Sequence, residues 1–279
     1  MKLEDALAAC GATVLRFDPD RYFASLFAPA ESRPLLHALY AFNHEAARAG
    51  EAAREPMMAD IRLQWWREAL ESARDGRPRG HPASIGLAAM FDRAAPPIHL
   101  FEQLLDARML DCTAGPFADS AALESYAEAT SGSLMRIAAH LLDPQADIAE
   151  LAREAGIAYG LAGILRALPF QAARDRMFLP VSLLAAEGMS IEDASSGCDR
   201  ARLNAVIARV ADVAKGHFAR ARKIRVPARL TASVLPASLV PMYLASVTRA
   251  GADPMHDRTE IPLFRRQLTL LRAALRGRL

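Results

Sequence analysis

Apolar residues along this chain recur at steps of three and four, and runs that alternate apolar with polar are nearly absent. From Pro34 onward, Leu35, Leu36, Leu39, Tyr40, Phe42 and Ala46 fall on one face, the spacing of an amphipathic helix. Pro34 suits the first turn of that helix, where an N–H would have no partner anyway. A second helix is predicted through Met58, Ile61, Trp65, Trp66, Ala69 and Leu70, ending in the loop from Asp75 to Gly80. Further helices are predicted around 98–112, 120–142, 146–167, 200–224, 229–250 and 260–277. Ser190-Ile-Glu-Asp193 reads as a capping box opening another. Breakers cluster at 75–82, 95–97, 114–120 and 195–199, and none is long enough for an interdomain linker. The expected fold is therefore all-α, a single helical bundle over 1–279 without strands.

Composition narrows the class. Of the 279 residues, 52% are hydrophobic, enough for a sizeable core. The formal charge of +2 excludes the global basic signature of nucleic-acid binding. Basic residues are skewed, with 31 Arg against 3 Lys. Cys10, Cys112 and Cys198 are odd in number and widely spaced, which fits a reduced compartment and neither a disulfide framework nor a zinc site. The N-terminus carries Glu4 and Asp5 and lacks the apolar core of a secretory signal. No window holds 18 uninterrupted apolar residues, so no spanning helix is expected. A cytoplasmic location follows, with peripheral contact at the inner membrane left open by the last helix. There Leu263, Phe264, Leu268, Leu271 and Leu275 are apolar, while Arg265, Arg272 and Arg276 share another face, and 258–279 holds six Arg against one acid, Glu260. Such a segment over 260–277 either binds an anionic membrane surface or docks on the bundle with its arginines in water.

Individual residues sharpen the candidate chemistry. His44-Glu45 would open a zinc-protease helix only with a second His at 48, where Arg48 stands. Glu45, one turn after Ala41, is placed to point inward and would then need a partner such as Arg62 or Arg166. Trp65 and Trp66 project about 100° apart, which puts one in the core and the other at a groove. Arg166, Arg174 and Arg176 form the most suggestive cluster: guanidinium groups bind phosphate bidentately without metal. Pairing with Asp175 or Glu154 is the purely structural alternative.

Three stretches carry a family resemblance. They are Tyr40-Ala-Phe-Asn-His-Glu-Ala-Ala-Arg-Ala-Gly-Glu51, preceded by Arg21 to Ser25 and Arg33; Leu123-Glu-Ser-Tyr126 leading to Ser131-Gly-Ser133; and Gly156 to Arg166 continuing through Arg174-Asp-Arg-Met-Phe-Leu-Pro180. In order and spacing they are similar to squalene and phytoene synthases, over roughly residues 15–275. The resemblance implies an isoprenoid-synthase helical bundle. It also implies head-to-head joining of isoprenyl diphosphates, with Mg²⁺ held by carboxylates on two facing helices. Carried onto this chain, the first carboxylate motif falls on Ala47, Arg48 and Glu51, and the second on Ala167, Phe170 and Gln171. Gly160 and Gly163 replace the amides of the second helix, while Arg166, Arg174, Arg176, Leu179 and Pro180 match. Arg48 at a ligand position would reverse the local charge. The implied protein is non-catalytic, without metal or cofactor, and the resemblance leaves open whether the pocket between helices 34–50 and 146–167 persists. Tyr40, Asn43, Glu45, Trp65 and Trp66 are its candidate lining, and Leu168, Phe170 and the Trp pair are placed to fill it.

Ala-Phe-Asn-His-Glu, 61–67 and 165–170 resemble the subgroup of this family that contains a mitochondrial complex I assembly factor. That implies a role in assembling respiratory NADH dehydrogenase, with a respiratory-complex subunit or assembly protein as partner and an isoprenoid or phospholipid as ligand. The alternative is an active prenyltransferase using Glu45, Glu51 and Asp175.

Overall fold

The computed structural model describes every residue except 52–55, 113–116, 175, 252, 254 and 257–260, and the side chains of 51, 56 and 112. Among the described residues there are sixteen α-helices and no strand. The first half holds α1 (Leu3–Phe17), α2 (Pro19–Ser25), α3 (Arg33–Glu51), α4 (Pro56–Arg74), α5 (Pro82–Ala94), α6 (Ile98–Arg108), α7 (Ser120–Ala127) and α8 (Ser133–Leu142). The second half holds α9 (Ala149–Arg166), α10 (Leu168–Ala172), α11 (Val181–Ala186), α12 (Ile191–Ser196), α13 (Arg200–Ala221), α14 (Thr231–Val234), α15 (Val240–Val247) and α16 (Leu263–Arg276).

Local chemistry sets the helix ends. Asp18, Asp119 and Asp199 each accept a backbone N–H at the start of α2, α7 and α13, supplying the acceptor that a first turn lacks. Ser190 and Asp193 form the expected capping box on α12. Gly277, at φ +61°, closes α16 in the left-handed region that glycine enters without steric cost.

Two of the expected continuous helices are broken. The 120–142 rod contains a π-turn, Glu128–Gly132, between α7 and α8. The 229–250 segment is assembled from 3₁₀ turns and the short helices α14 and α15. Pro236 and Pro241 lie inside it, and each removes a backbone donor and clashes with the preceding turn. Residues 228–247 are apolar and long enough by composition to cross a bilayer, but 78% of that window is buried inside the bundle. They serve here as core.

The two largest clusters of buried side chains lie around α9, α13 and α15 and among α3, α4, α5 and α6. The π-turn packs directly on α9: a Cβ at Gly156 would lie 2.4 Å from the Gly132 Cα. On the far side of α9, Glu154 accepts from His217 (2.7 Å) and Arg220 (2.8 Å) of α13 and from Arg153 (2.9 Å). Burial alone would push the Glu154 carboxyl up, but hydrogen bonds from His217 and Arg220 outweigh it and hold the group below its ordinary value. Glu154 is thus occupied, and is no partner for Arg166, Arg174 or Arg176.

Candidate functional site: an arginine-walled cavity

A cavity of about 570 Å³ opens beside α9, within the roughly 300–1,000 Å³ usual for small-molecule sites. The start of α2 contributes Asp18, Asp20 and Arg21, α3 contributes Asn43, and α6 with its 3₁₀ extension contributes Arg108 and Asp111. The π-turn and the helices around it bring Tyr126, Thr130 and Ser131. Tyr159, Gly160, Gly163 and Arg166 come from α9, Ala167, Phe170, Gln171, Arg174 and Arg176 from the chain after it, and Tyr243 and Arg266 from α15 and α16. Nothing lies within 4 Å of a Cβ built on Gly163, so the missing side chain enlarges this space.

Charge dominates the lining. Six arginines, Arg21, Arg108, Arg166, Arg174, Arg176 and Arg266, face three aspartates among the described lining residues. Every one of those aspartates is engaged. Asp18 pairs with Arg21 at 2.6 Å. Asp20 accepts from Arg266 at 2.6 Å, from Tyr159 at 3.5 Å and, closely, from Tyr243. Asp111 accepts from Tyr126 at 2.5 Å and Arg108 at 3.2 Å. Burial drives the phenols of Tyr126, Tyr159 and Tyr243 well above their ordinary value, so they act as neutral donors. The Arg166 guanidinium lies 3.7 Å from the Tyr243 ring centre, a cation–π contact. Arg174 donates to the Phe170 carbonyl and Arg176 to the Gly50 carbonyl.

This donor set does not fit a Mg²⁺ cluster. Magnesium takes carboxylate oxygens in near-octahedral geometry. Ala47, Ala167, Phe170 and Gln171 supply none, and the three aspartates already hold arginines and phenols. Among the described residues no group of three His, Cys, Asp or Glu side chains is placed to share a metal. The Glu51 side chain and Asp175 lie outside the described residues.

The structure brings together part of the expected site and separates the rest. Arg166, Arg174, Arg176, Asn43, Ala167, Phe170 and Gln171 all line the cavity. Phe170 is half exposed and leaves the cavity open; Leu168 is in the core. Tyr40 is not on the wall but is 2% exposed, with its ring 5.8 Å from the Arg21 guanidinium. Glu45, Arg48, Trp65 and Trp66 line a second slot of about 270 Å³ with Ala49, Arg62 and His81. The cause is helical phase: at 100° per residue, positions 45, 48 and 49 lie on the side of α3 opposite 43 and 47. Arg48 therefore does not reverse the charge of the central cavity; among the described residues the surplus of six arginines over three aspartates does. Nor is Glu45 a buried carboxylate held by Arg62 or Arg166, since it is about a quarter exposed and faces Arg48 at 3.5 Å. The Trp pair divides as its phase predicts, with Trp66 at 4% exposure and Trp65 half-buried.

Composition and spacing did not point to Asp18, Asp20, Arg108, Tyr159, Tyr243 or Arg266. Only Arg266 left a readable trace, because it shares a helical face with Leu270 and Ala273, the two residues that α16 buries.

A model of the squalene/phytoene synthase family matches residues 14–272. The NADH dehydrogenase (ubiquinone) complex I assembly factor 6 of Bos taurus is 29% identical over 259 residues, covering 91% of this chain and 76% of that protein. A phytoene synthase of Thermus thermophilus is 30% identical over 178 residues, 63% of this chain and 60% of that enzyme. A dehydrosqualene synthase crystallised with a ligand superposes with a TM-score of 0.84 at 18% identity, covering 98% and 96% of the two chains. That likeness is one of fold, the all-α isoprenoid-synthase bundle. The arginine-walled cavity thus sits in a bundle of the same fold as that dehydrosqualene synthase, and the chain belongs to the squalene/phytoene synthase family.

Proposed function

We propose that this protein is a non-catalytic family member that assists assembly of respiratory NADH dehydrogenase from the membrane surface. It keeps the old substrate cavity as a metal-free site for a phosphate-bearing isoprenoid or phospholipid. The observation that carries the reading is the cavity lining, six arginines with every described carboxylate already paired. Such a wall neutralises a phosphate directly, yet offers nothing to draw in the Mg²⁺ that ionisation of an allylic diphosphate requires. The relatives named as assembly factors for complex I extend over most of the chain and supply the partner class.

Peripheral attachment is argued from α16. It buries Leu270 and Ala273 and fixes Arg266 on Asp20. Its outer stripe of Phe264, Leu268, Leu271 and Leu275 stays in solvent, with Phe264 63% and Leu275 79% exposed. Arg265, Arg272 and Arg276 flank the stripe, and the described residues from 261 to the end include no acid. An apolar ridge bordered by arginines matches the boundary of an anionic bilayer.

Deletion of the gene tests the assembly role. The expected result is loss of assembled NADH dehydrogenase, restored by the wild-type chain. A variant carrying Leu271→Glu and Leu275→Glu is expected to shift to the soluble fraction and restore less. Complex levels that are unchanged by deletion would sink the assembly role.

The catalytic alternative is tested separately. Farnesyl diphosphate titrated without divalent metal is expected to bind, and Arg166→Ala to weaken it roughly 10- to 150-fold, the loss of one charge-assisted contact of about 1.5–3 kcal/mol. Pyrophosphate released on adding Mg²⁺ would restore the enzyme reading.

A further inference from the structure

The slot on the other side of α3 shares no lining residue with the central cavity. Three rings make its wall. Trp65 and Trp66 stand edge-on at 4.8 Å, and His81 lies 5.1 Å from Trp66 and 6.0 Å from Trp65. Each ring is held from behind. His81 caps α5 by accepting the Ala83 N–H at 3.2 Å, and burial pulls its imidazole below the ordinary value. Arg79, pinned to Glu68 at 2.7 Å, covers one face of Trp65. Neither indole N–H has a hydrogen-bond partner among the described residues. An open slot with supported walls needs little rearrangement before it accepts a side chain.

Size and surroundings define the occupant. At about 270 Å³ the slot falls just below the usual small-molecule range and suits a single large side chain. From its mouth α4 carries Met58 and Ile61, 43% and 56% exposed, at three- and four-residue steps toward Trp65, with Met57 beside them at 63%. Tryptophan, methionine and arginine are the residues enriched where protein interfaces bury most. The rim is basic. Arg62 is exposed and has no ion-pair partner among the described residues, and Arg48 is half exposed and only loosely engaged, against one partly covered carboxylate, Glu45.

We infer that this face of α4 is a docking site for an acidic segment of a partner protein. One large apolar side chain of that segment fills the slot between Trp65, Trp66 and His81, while flanking carboxylates meet Arg62 and Arg48. The inference rests on the non-catalytic assembly reading, since it supplies the contact through which such a protein would hold its client.

The test is photo-crosslinking in cells that express the full chain with a photoreactive amino acid at Ile61. The expected result is an adduct mapping to an acidic segment of another protein, reduced at least tenfold by Arg62→Glu, a surface change that leaves the fold intact. Trp65→Ala is expected to act similarly, because truncating a central anchor is a hot-spot loss. An adduct to lipid, to a second copy of this chain or to a basic segment would overturn the inference. So would the absence of a protein adduct, or one indifferent to Arg62→Glu. The two readings fail separately. If gene deletion lowers NADH dehydrogenase but Arg62→Glu restores it fully, the docking site is wrong and the assembly role stands. If deletion changes nothing while the acidic adduct persists, the site stands and its client is another complex.

Discussion

Asp20→Ala is expected to destabilise the protein by about 3–5 kcal/mol, the cost of removing one partner from a buried ion pair. Asp20 is 5% exposed on α2 and holds Arg266 at 2.6 Å from a position 246 residues away in sequence, together with the hydroxyls of Tyr243 and Tyr159. Its loss leaves a guanidinium and two phenols without their acceptor at the wall of the cavity. The Arg266 side chain keeps 17% exposure, which places the effect toward the lower end, about 3 kcal/mol. In a thermal melt this is a fall of about 6–12 °C by the usual relation between stability and midpoint. The cause is separable from simple loss of packing. Arg266→Met in the Asp20→Ala background removes the orphaned charge and is expected to recover part of the stability, with a non-additive double-mutant cycle. Additivity of the two changes would show that the pair is not what holds α16 to α2.

The second large effect is a contrast between two glycines on one helix. At Gly156 a methyl group would meet the Gly132 Cα at 2.4 Å and its nitrogen at 2.5 Å. Both are backbone atoms of the π-turn and cannot rotate aside. Gly156→Ala must therefore push α9 away from the turn that carries Thr130 and Ser131 to the cavity, at a cost of about 1–3 kcal/mol or more for overpacking. At Gly163, two turns along, a methyl group meets nothing within 4 Å. There the removal of a helix-interior glycine dominates, and Gly163→Ala is expected to stabilise by about 0.5–1 kcal/mol. Denaturant midpoints of the two variants check both signs at once. Equal effects would mean that the helix backbone, and not its neighbours, decides the outcome.

Much of the helical architecture was legible because its cause is local. The phase of Leu35, Leu36, Leu39 and Tyr40, the breakers at 75–82 and the capping box at Ser190 each act within one or two turns. Local rules fail where they meet a neighbour. Residues 229–250 keep helical periodicity, yet two prolines break them into short turns that only tertiary burial stabilises. The cavity was partly legible, since Arg166, Arg174 and Arg176 lie in one motif. Glu45, Arg48 and the Trp pair were drawn to it by proximity in sequence and belong to another slot, because 100° of helical rotation per residue separates neighbours that a linear motif joins.

By itself the sequence determined the all-α class, the long amphipathic helices α3, α4, α9, α13 and α16, and the absence of carboxylates at Ala47, Ala167, Phe170 and Gln171. The class and the helices follow from residue identity and period, and the four positions from the family resemblance. Only the tertiary structure decided that six arginines from α2, α6, α9, α16 and the chain after α9 meet in one cavity, and that Asp18, Asp20 and Asp111 are already taken within it. Charge pairing at 2.6 Å between residues 246 apart depends on how helices pack. No periodicity along the chain encodes a distance across it.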